Sequence, residues 1–153
     1  MMDSLILKSS SKQDTVELGK RIASTLRPAD VILLSGDLGA GKTTLVGGVA
    51  KGLGIDEPVL SPTFNIMKCY FHSPLSLYHI DAYRLEGQNI EIGLDEYIEG
   101  DGACFIEWPS YIADLIPDEH LEIEIRNLGG DCREVKLFAK GHRYEQMLEE
   151  LAK

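Results

Sequence analysis

The sequence predicts an α/β fold in which a central, mostly parallel sheet is flanked by helices and extended by antiparallel strands. Two runs, 31–34 and 103–106, are entirely apolar, as expected for parallel strands that are buried on both faces. Two later segments, 121–125 and 135–139, alternate apolar and polar residues, as half-solvated strands do. Helical patterns stand between these segments, and the length fits one domain over residues 1–153.

The N-terminal half is predicted to begin with an edge strand and a helix. Residues 5–7 form a short apolar run, and an approximately helical apolar stripe follows it. Asp14 and Glu17 have the spacing of a capping box, so Asp14 is the predicted N-cap, and Pro28 ends the helix. The first buried strand comes next, followed by a second helix over 43–52 that glycines terminate.

The C-terminal half is predicted to contain a hairpin, a short helix, three strands and a final helix. Segments 65–71 and 75–80 have strand character and are joined by a short connection through Pro74. Apolar residues within 90–98 predict a short surface helix. The second buried run and the two alternating segments predict three strands, and residues 141–153 predict an amphipathic helix.

Composition limits the classes of function. The chain has 153 residues, with 15 Lys and Arg against 25 Asp and Glu, so its formal net charge is −10. Because phosphate groups are bound by basic surfaces, this balance argues against a protein that holds nucleic acid alone or binds anionic lipid. No apolar stretch approaches the roughly 20 residues that cross a bilayer, and the N-terminus lacks a signal-peptide pattern, so we expect no membrane association and a cytoplasmic location.

The three cysteines, Cys69, Cys104 and Cys132, are an odd number without CxxC spacing. This pattern disfavours a metal site or a disulfide framework. We therefore expect small, mostly buried apolar side chains in a reducing compartment.

Residues 36–43, with the sequence GDLGAGKT, match the phosphate-binding pattern G-x-x-x-x-G-K-[ST]. Glycines let backbone N–H groups converge on phosphate oxygens, and the following helix presents its positive end. Lys42 is expected to reach the β- and γ-phosphates, and the Thr43 hydroxyl to bind Mg²⁺. A glycine-rich turn without a ligand is the alternative. The motif lies between a buried strand and a helix, which favours a P-loop NTPase-like fold that binds a nucleotide.

A P-loop protein usually places an acidic residue at the end of an apolar strand, close to the Mg²⁺. Glu107 ends the run 103–106, and Asp81 ends a strand that contains His79. Because His79 is polar, we expect its strand to be the less buried of the two. We therefore favour Glu107 as the metal-side ligand and Asp81 as a second carboxylate. An exposed strand-end acid without a role is the alternative for each.

Three further side chains each allow two interpretations. Thr63, in the segment 61–64, stands where P-loop switch segments occur and can sense the γ-phosphate and Mg²⁺, although a simple proline turn explains the spacing equally well. Arg84 is suited to neutralise transition-state charge or to pair with Glu86. Trp108 is suited to stack on a ring or to fill the core, which is the default for a lone tryptophan.

These motifs together resemble the TsaE (YjeE) family, the ATPases of the bacterial tRNA threonylcarbamoyladenosine system. The matching segments occur in the family's order and spacing: GDLGAGKTT at 36–44, SPTF at 61–64, YHIDAYRL at 78–85 and IEW at 106–108. The phosphate loop alone is not specific to this family, whereas its combination with the other three segments is. The resemblance covers nearly the whole chain.

The resemblance implies a P-loop fold that binds ATP with Mg²⁺ and hydrolyses it slowly, in dependence on partners. By motif position it implies Thr43 and Glu107 as Mg²⁺ ligands and Asp81, Glu107 and Lys42 as catalytic residues. It implies a nucleotide site formed by Asp37, Leu38, Gly39, Ala40, Gly41, Lys42, Thr43, Thr44, Thr63, Arg84, Trp108, Ser11, Thr15 and Arg133. The segment 109–111 departs from the acidic residue that many members of the family carry there.

The implied partners are TsaD, which is the threonylcarbamoyl transferase, and its companion TsaB. The family's ATP cycle is thought to reset their complex, so an acidic chain reaches tRNA only indirectly, through these partners. Two other functions remain open. One is a free-standing small-molecule P-loop kinase, for which the chain shows no clear Arg-bearing lid. The other is a nucleotide-gated binding module without hydrolysis. ATP is favoured over GTP because no Asn-Lys-x-Asp sequence occurs.

Overall fold

The computed structural model describes residues 3–36, 40–59, 67–83 and 94–153, and the structural statements below concern these residues. Its elements are β1 (Ser4–Ser9), α1 (Lys12–Ala23), β2 (Val31–Gly36), α2 (Lys42–Leu53), β3 (Met67–Tyr70), β4 (Leu77–Asp81), α3 (Leu94–Ile98), β5 (Ala103–Glu107), β6 (His120–Gly129), β7 (Cys132–Lys140) and α4 (His142–Ala152). A 3₁₀ helix, Pro109–Leu115, connects β5 to β6.

The strands form a seven-stranded sheet in the order β1-β7-β6-β2-β5-β4-β3. The four central strands, β6, β2, β5 and β4, run parallel to one another. Antiparallel pairs extend the sheet at both edges: β1 and β7 on one side, and β3 on the other. The predicted fold, a central parallel sheet with helices and added antiparallel strands, is therefore confirmed.

Both faces of the central sheet are covered, which explains the uninterrupted apolar runs. In β2, Ile32 and Leu34 pack into the core beneath α1, α2 and α4. Val31 and Leu33 alternate with them and pack into a second core that includes residues of α3 and the 3₁₀ helix. Over residues 31–34 this two-sided environment leaves no position at which a polar residue meets water, and the first exposed residue of β2 is Ser35.

Glycines let α1 and α2 pack with their backbones in close contact. A Cβ atom on Gly48 would lie 2.2 Å from the carbonyl oxygen of Val16, and one on Gly19 would lie 2.4 Å from that of Leu45. Both distances are shorter than any real carbon–oxygen contact, so a side chain at either position forces the helices apart. This packing fixes α2, the helix that begins at Lys42, against the N-terminal part of the chain.

The predicted N-cap of α1 is wrong. Ser11 is the N-cap, and its hydroxyl accepts a hydrogen bond from the Asp14 N–H at 3.0 Å. Asp14 lies in the first turn, where its carboxylate accepts hydrogen bonds from the hydroxyl and the N–H of Ser10, which lower its pKa. Glu17 pairs with Lys20. The helix starts earlier because a serine immediately before it satisfies the first free N–H groups.

The cysteines are only partly as expected. Cys104 is buried in β5, and burial raises the pKa of its thiol to about 12. Cys69 is half-buried, and Cys132 is exposed because it begins β7 at the turn of the β6–β7 hairpin. No helix in the described part of the chain is long and apolar enough to cross a membrane.

Candidate functional site

The carboxyl ends of β2, β4 and β5 lie at one edge of the sheet, next to the start of α2. Asp81 at the end of β4 stands directly opposite Glu107 at the end of β5, and Leu34 of β2 is the partner of Glu107 on its other side. Ligands bind at this edge in open α/β sheets. The parallel register therefore brings together two carboxylates that lie far apart in the sequence.

The phosphate-loop motif enters this edge from β2. Gly41 immediately precedes α2 with a φ of 106°, a left-handed conformation that favours glycine. Among the described residues no side chain caps the start of α2. Thr43 and Thr44 are half-buried in its first turn, and Ala40 is buried. Asp37, Leu38 and Gly39 were also predicted as nucleotide contacts and lie outside the described residues.

Glu107 is held between two nitrogen donors. Its Oε1 lies 3.2 Å from Lys42 Nζ, and its Oε2 accepts a hydrogen bond from His79 Nε2 at 2.7 Å. The side chains of Lys42, Glu107 and His79 are 15%, 7% and 0% exposed. A carboxylate this buried persists as an anion only when it is paired and hydrogen-bonded. The site therefore contains a stabilised negative charge beside the lysine of the motif.

The charge state of Glu107 follows from opposing influences. Burial raises its pKa, but the hydrogen bond and charge interaction with His79 and the charge of Lys42 together outweigh burial. The pKa of Glu107 is therefore lowered from its ordinary value of 4.5. At neutral pH the carboxylate is ionised, so it is suited to bind a cation and not to donate a proton.

β4 is less buried than β5 only at its last residue, Asp81, and not because of the polar His79. The residues of β4 up to Ile80 are buried, and His79 is fully enclosed opposite Phe105 of β5. Nε2 of the ring is paired with Glu107, whereas Nδ1 is buried and has no hydrogen-bond partner among the described residues. No role was predicted for His79. The available signal was a single histidine inside an otherwise apolar strand, two positions before Asp81.

Asp81 is half-buried, and its Oδ1 accepts a hydrogen bond from the Tyr83 N–H at 3.0 Å. This local bond orients the carboxylate at the end of β4 and leaves it accessible to water. Thr63 and Arg84, which were also predicted as nucleotide-site residues, lie outside the described residues.

Trp108 does not belong to the core, contrary to the default expectation. It is 45% exposed and has a φ of 57°, because the chain turns outward between Glu107 and the 3₁₀ helix. Lys42 Nζ lies 5.9 Å from the centre of its ring, within the range of a cation–π contact. Tyr83 and Tyr111 pack against the indole, with ring centres 5.1 and 6.2 Å away.

A cavity of about 240 Å³ lies at the end of β2, beside Lys42 and Trp108. It is lined by Leu34, Ser35, Gly36, Lys42, Trp108, Pro109 and Ser110. The chain thus offers a recess next to the buried lysine and carboxylate.

Arg133 of β7 connects the β6–β7 hairpin to the phosphate-loop motif. Its Nε donates to the carbonyl oxygen of Ala40 at 2.7 Å. Its Nη1 donates to the carbonyl oxygens of Gly130 and Cys132 and to Asn127 Oδ1. The guanidinium group therefore holds the backbone at the end of the motif against the sheet.

The N-terminal segment lies beside Arg133, since Ser9 is its partner in the β1–β7 register. The two hydroxyls predicted to contact the nucleotide have local partners. Ser11 caps α1, and the buried Thr15 hydroxyl lies 2.8 Å from Ser9 Oγ. Both residues therefore support the structure next to the motif.

The residues at this edge fit Mg²⁺ and phosphate. Mg²⁺ takes oxygen ligands, usually one or two carboxylates together with phosphate oxygens and water. Glu107, Asp81 and Thr43 offer such oxygens, and Lys42 offers a cation for the phosphates. In the described residues, no group of three or more His, Cys, Asp or Glu side chains could hold a metal ion.

Comparison with known proteins gives consistent matches over most of the chain. The family model described as "Threonylcarbamoyl adenosine biosynthesis protein TsaE" matches residues 9–135. The tRNA threonylcarbamoyladenosine biosynthesis protein TsaE of Bacillus subtilis is 45% identical over 152 residues, which cover 99% of this chain and 96% of that protein. The protein of the same name from Treponema pallidum is 41% identical over 129 residues, covering 83% and 95%. The crystal structure of YdiB from Bacillus subtilis matches with a TM-score of 0.85 and 41% identity, covering 99% and 96%.

Proposed function

This chain belongs to the TsaE family of tRNA threonylcarbamoyladenosine biosynthesis proteins, and from that premise we propose that it is the Mg²⁺-dependent ATPase of this modification pathway. The observation that carries the proposal is the buried pair of Lys42 and Glu107 at the start of α2. It combines a cation suited to a polyphosphate with an ionised carboxylate suited to Mg²⁺.

Nucleotide binding changes the partner of Lys42. The phosphates would carry more negative charge than one carboxylate, so Lys42 Nζ would turn from Glu107 Oε1 towards them. Glu107 Oε1 and the hydroxyl of Thr43 in the first turn of α2 would then hold Mg²⁺, which would supply positive charge for phosphoryl transfer.

Asp81 supplies the second carboxylate. It is adjacent to Glu107 across the β4–β5 ladder and is the more exposed of the two. In this position it would accept hydrogen bonds from water next to a bound metal ion. Asp37, Leu38, Gly39, Thr63 and Arg84 retain their predicted nucleotide-site roles as part of this proposal, with Thr63 as the switch residue.

Hydrolysis is proposed to depend on TsaB and TsaD, with tRNA reached only through them, in the cytoplasm. The net charge of −10 supports this assignment, because an acidic chain is poorly suited to hold tRNA itself. The exposed rings of Tyr83 and Trp108 beside Lys42 offer an apolar contact surface at the site. In this proposal the chain supplies the ATP cycle and does not form the threonylcarbamoyl adduct.

Phosphate release from Mg-ATP by the purified chain, with and without a TsaB–TsaD pair, tests the proposal. We expect slow release from the chain alone, stimulation by the pair, and no stimulated release from Lys42→Ala. Unchanged release on adding the pair would contradict it. Transfer of labelled phosphate to a metabolite instead of water would favour the small-molecule kinase, and ATP-dependent complex formation without hydrolysis would favour the nucleotide-gated module.

A further inference from the structure

His79 is a buried, titratable side chain that has no role in the proposed function. It is fully enclosed in β4, opposite Phe105 in the register with β5. Glu107 lies two positions further along β5, so His79 reaches it diagonally across the ladder, with Nε2 2.7 Å from Oε2. A buried histidine that contacts only one polar group of a site is well placed to control the orientation of that group.

The position of the Glu107 carboxylate is not determined by its strand alone. Asp81 is its direct cross-strand neighbour, and like charges in this relation destabilise a sheet. The two carboxylates have different partners, because Asp81 accepts from the Tyr83 N–H while Glu107 contacts Lys42 and His79. When a nucleotide draws Lys42 away, His79 is the remaining partner of Glu107 among the described residues.

We propose that His79 is a positioning residue that fixes Glu107 through Oε2, so that Oε1 is the oxygen exchanged between Lys42 and the metal. This inference rests on the proposed function. Partners of metal ligands orient those ligands, and their substitution typically lowers metal affinity or activity by about 10- to 100-fold. His79 is suited to this task because its enclosed ring cannot rotate without disturbing the core around Phe105.

A change of His79 should affect metal affinity and nucleotide affinity differently. In the protein without nucleotide, Lys42 still holds Glu107 when His79 is changed, so the fold and the phosphate-binding groups are kept. Once phosphates engage Lys42, Glu107 has lost both partners and samples several orientations. Metal affinity in the presence of nucleotide therefore falls, while nucleotide affinity without metal stays close to that of the wild type.

Two variants of similar polarity test this separation. His79→Gln places an amide nitrogen where Nε2 was, and His79→Asn has an amide that is too short to reach Glu107. His120→Asn is the matched control, because His120 is also buried and its Nε2 lies 3.3 Å from Glu122 Oε1. Mn²⁺ affinity is measured by electron paramagnetic resonance in the presence of a non-hydrolysable ATP analogue. Affinity for the analogue is measured separately in EDTA.

His79→Asn is expected to lose about 10- to 100-fold in Mn²⁺ affinity. His79→Gln should recover most of the loss, and His120→Asn should match the wild type. Wild-type Mn²⁺ affinity in His79→Asn would overturn the proposal, as would an equal loss of analogue affinity in EDTA. A wild-type chain that binds neither the analogue nor Mn²⁺ would instead reject the proposed function.

A measurement without substitution covers the case in which His79→Asn fails to fold. In ¹⁵N-labelled wild-type protein, the hydrogen-bonded Nε2–H signal of His79 should persist when Mg²⁺ and the analogue bind. Loss of that signal would show that Glu107 leaves His79 on metal binding and would overturn the proposal.

Discussion

Lys42 Nζ lies 3.2 Å from Glu107 Oε1, so the lysine of the phosphate-loop motif and the carboxylate that ends β5 form a buried ion pair. Removing one member of such a pair leaves an uncompensated charge in a poorly solvated place. In the proposed function, a polyphosphate with a divalent cation would supply replacements for both members at once. We therefore expect metal binding and nucleotide binding to depend on each other.

Glu107→Gln should reduce Mg²⁺-dependent ATP hydrolysis more than nucleotide binding. The amide keeps the shape of the side chain but loses the negative charge that the metal requires. We expect hydrolysis to fall on the order of 100-fold, as when one charge-stabilising group is removed from an active site. Phosphate-release assays and calorimetric titration measure the two quantities. Glu149→Gln, an exposed site on α4, serves as the control. Equal losses of binding and hydrolysis would make Glu107 a structural residue only.

The lowered pKa of Glu107 predicts an acid-dependent contribution to stability. A carboxyl group with a folded-state pKa below its ordinary value stabilises the fold above pH 4.5, where the group is ionised in both states. That contribution is lost as the pH falls through the folded-state pKa. Urea unfolding of wild type and Glu107→Gln should therefore show a stability difference at neutral pH that shrinks in strong acid. A difference that stays constant with pH would contradict the assignment.

Arg133→Ala should weaken nucleotide binding by loosening the backbone at the end of the phosphate-loop motif. The charged hydrogen bond to the Ala40 carbonyl is worth about 1.5–3 kcal/mol of stability, and only the part of it that orders the motif for phosphate binding affects affinity, so we expect a loss of at most about 10- to 100-fold. Titration calorimetry with Mg-ATP measures it. Arg126→Ala is the matched control, because Arg126 is an exposed side chain of β6 with an ion pair of 3.9 Å. Similar affinities for the two variants would exclude the supporting role of Arg133.

Two neighbouring glycines in α2 should respond oppositely to the same substitution. Gly48→Ala should lower the free energy of unfolding by about 1–3 kcal/mol, because the alanine Cβ would lie 2.2 Å from the Val16 carbonyl oxygen. Gly47→Ala should stabilise it by about 0.5–1 kcal/mol, because nothing lies within 4 Å and alanine favours the helix. Thermal unfolding compares them. A shift of equal sign in both variants would disagree with the close α1–α2 packing.

Much of the fold could be predicted from the sequence, because a strand that is buried on both faces is an uninterrupted run of apolar residues. The runs that became β2 and β5 contain no polar residue, and the alternating segments that became β6 and β7 bury one face. The start of α1 could not be fixed in this way, because Ser11 and Asp14 are both good caps and only the backbone geometry chooses between them.

The candidate site was predictable only in part. The phosphate-loop motif identifies Lys42, and the rule about acidic strand ends identifies Glu107. The hydrogen bond between His79 and Glu107 joins two strands, and no local sequence pattern encodes the register between them. Without that partner in view, a polar histidine indicated a less buried strand. The residue type alone left both stacking and the core open for Trp108, because its exposure depends on the backbone conformation after β5, which no local pattern encodes.

In the proposed function this chain uses Mg-ATP, through Lys42, for threonylcarbamoyladenosine modification of tRNA. Nucleoside analysis of tRNA tests this use in cells depleted of the protein and complemented with wild type, Lys42→Ala or Lys51→Ala. Lys51 is an exposed lysine near the other end of α2 and controls for loss of charge. We predict that depletion removes the modified nucleoside and that wild type and Lys51→Ala restore it, whereas Lys42→Ala does not. Full modification with Lys42→Ala, at the same protein level, would contradict the claim.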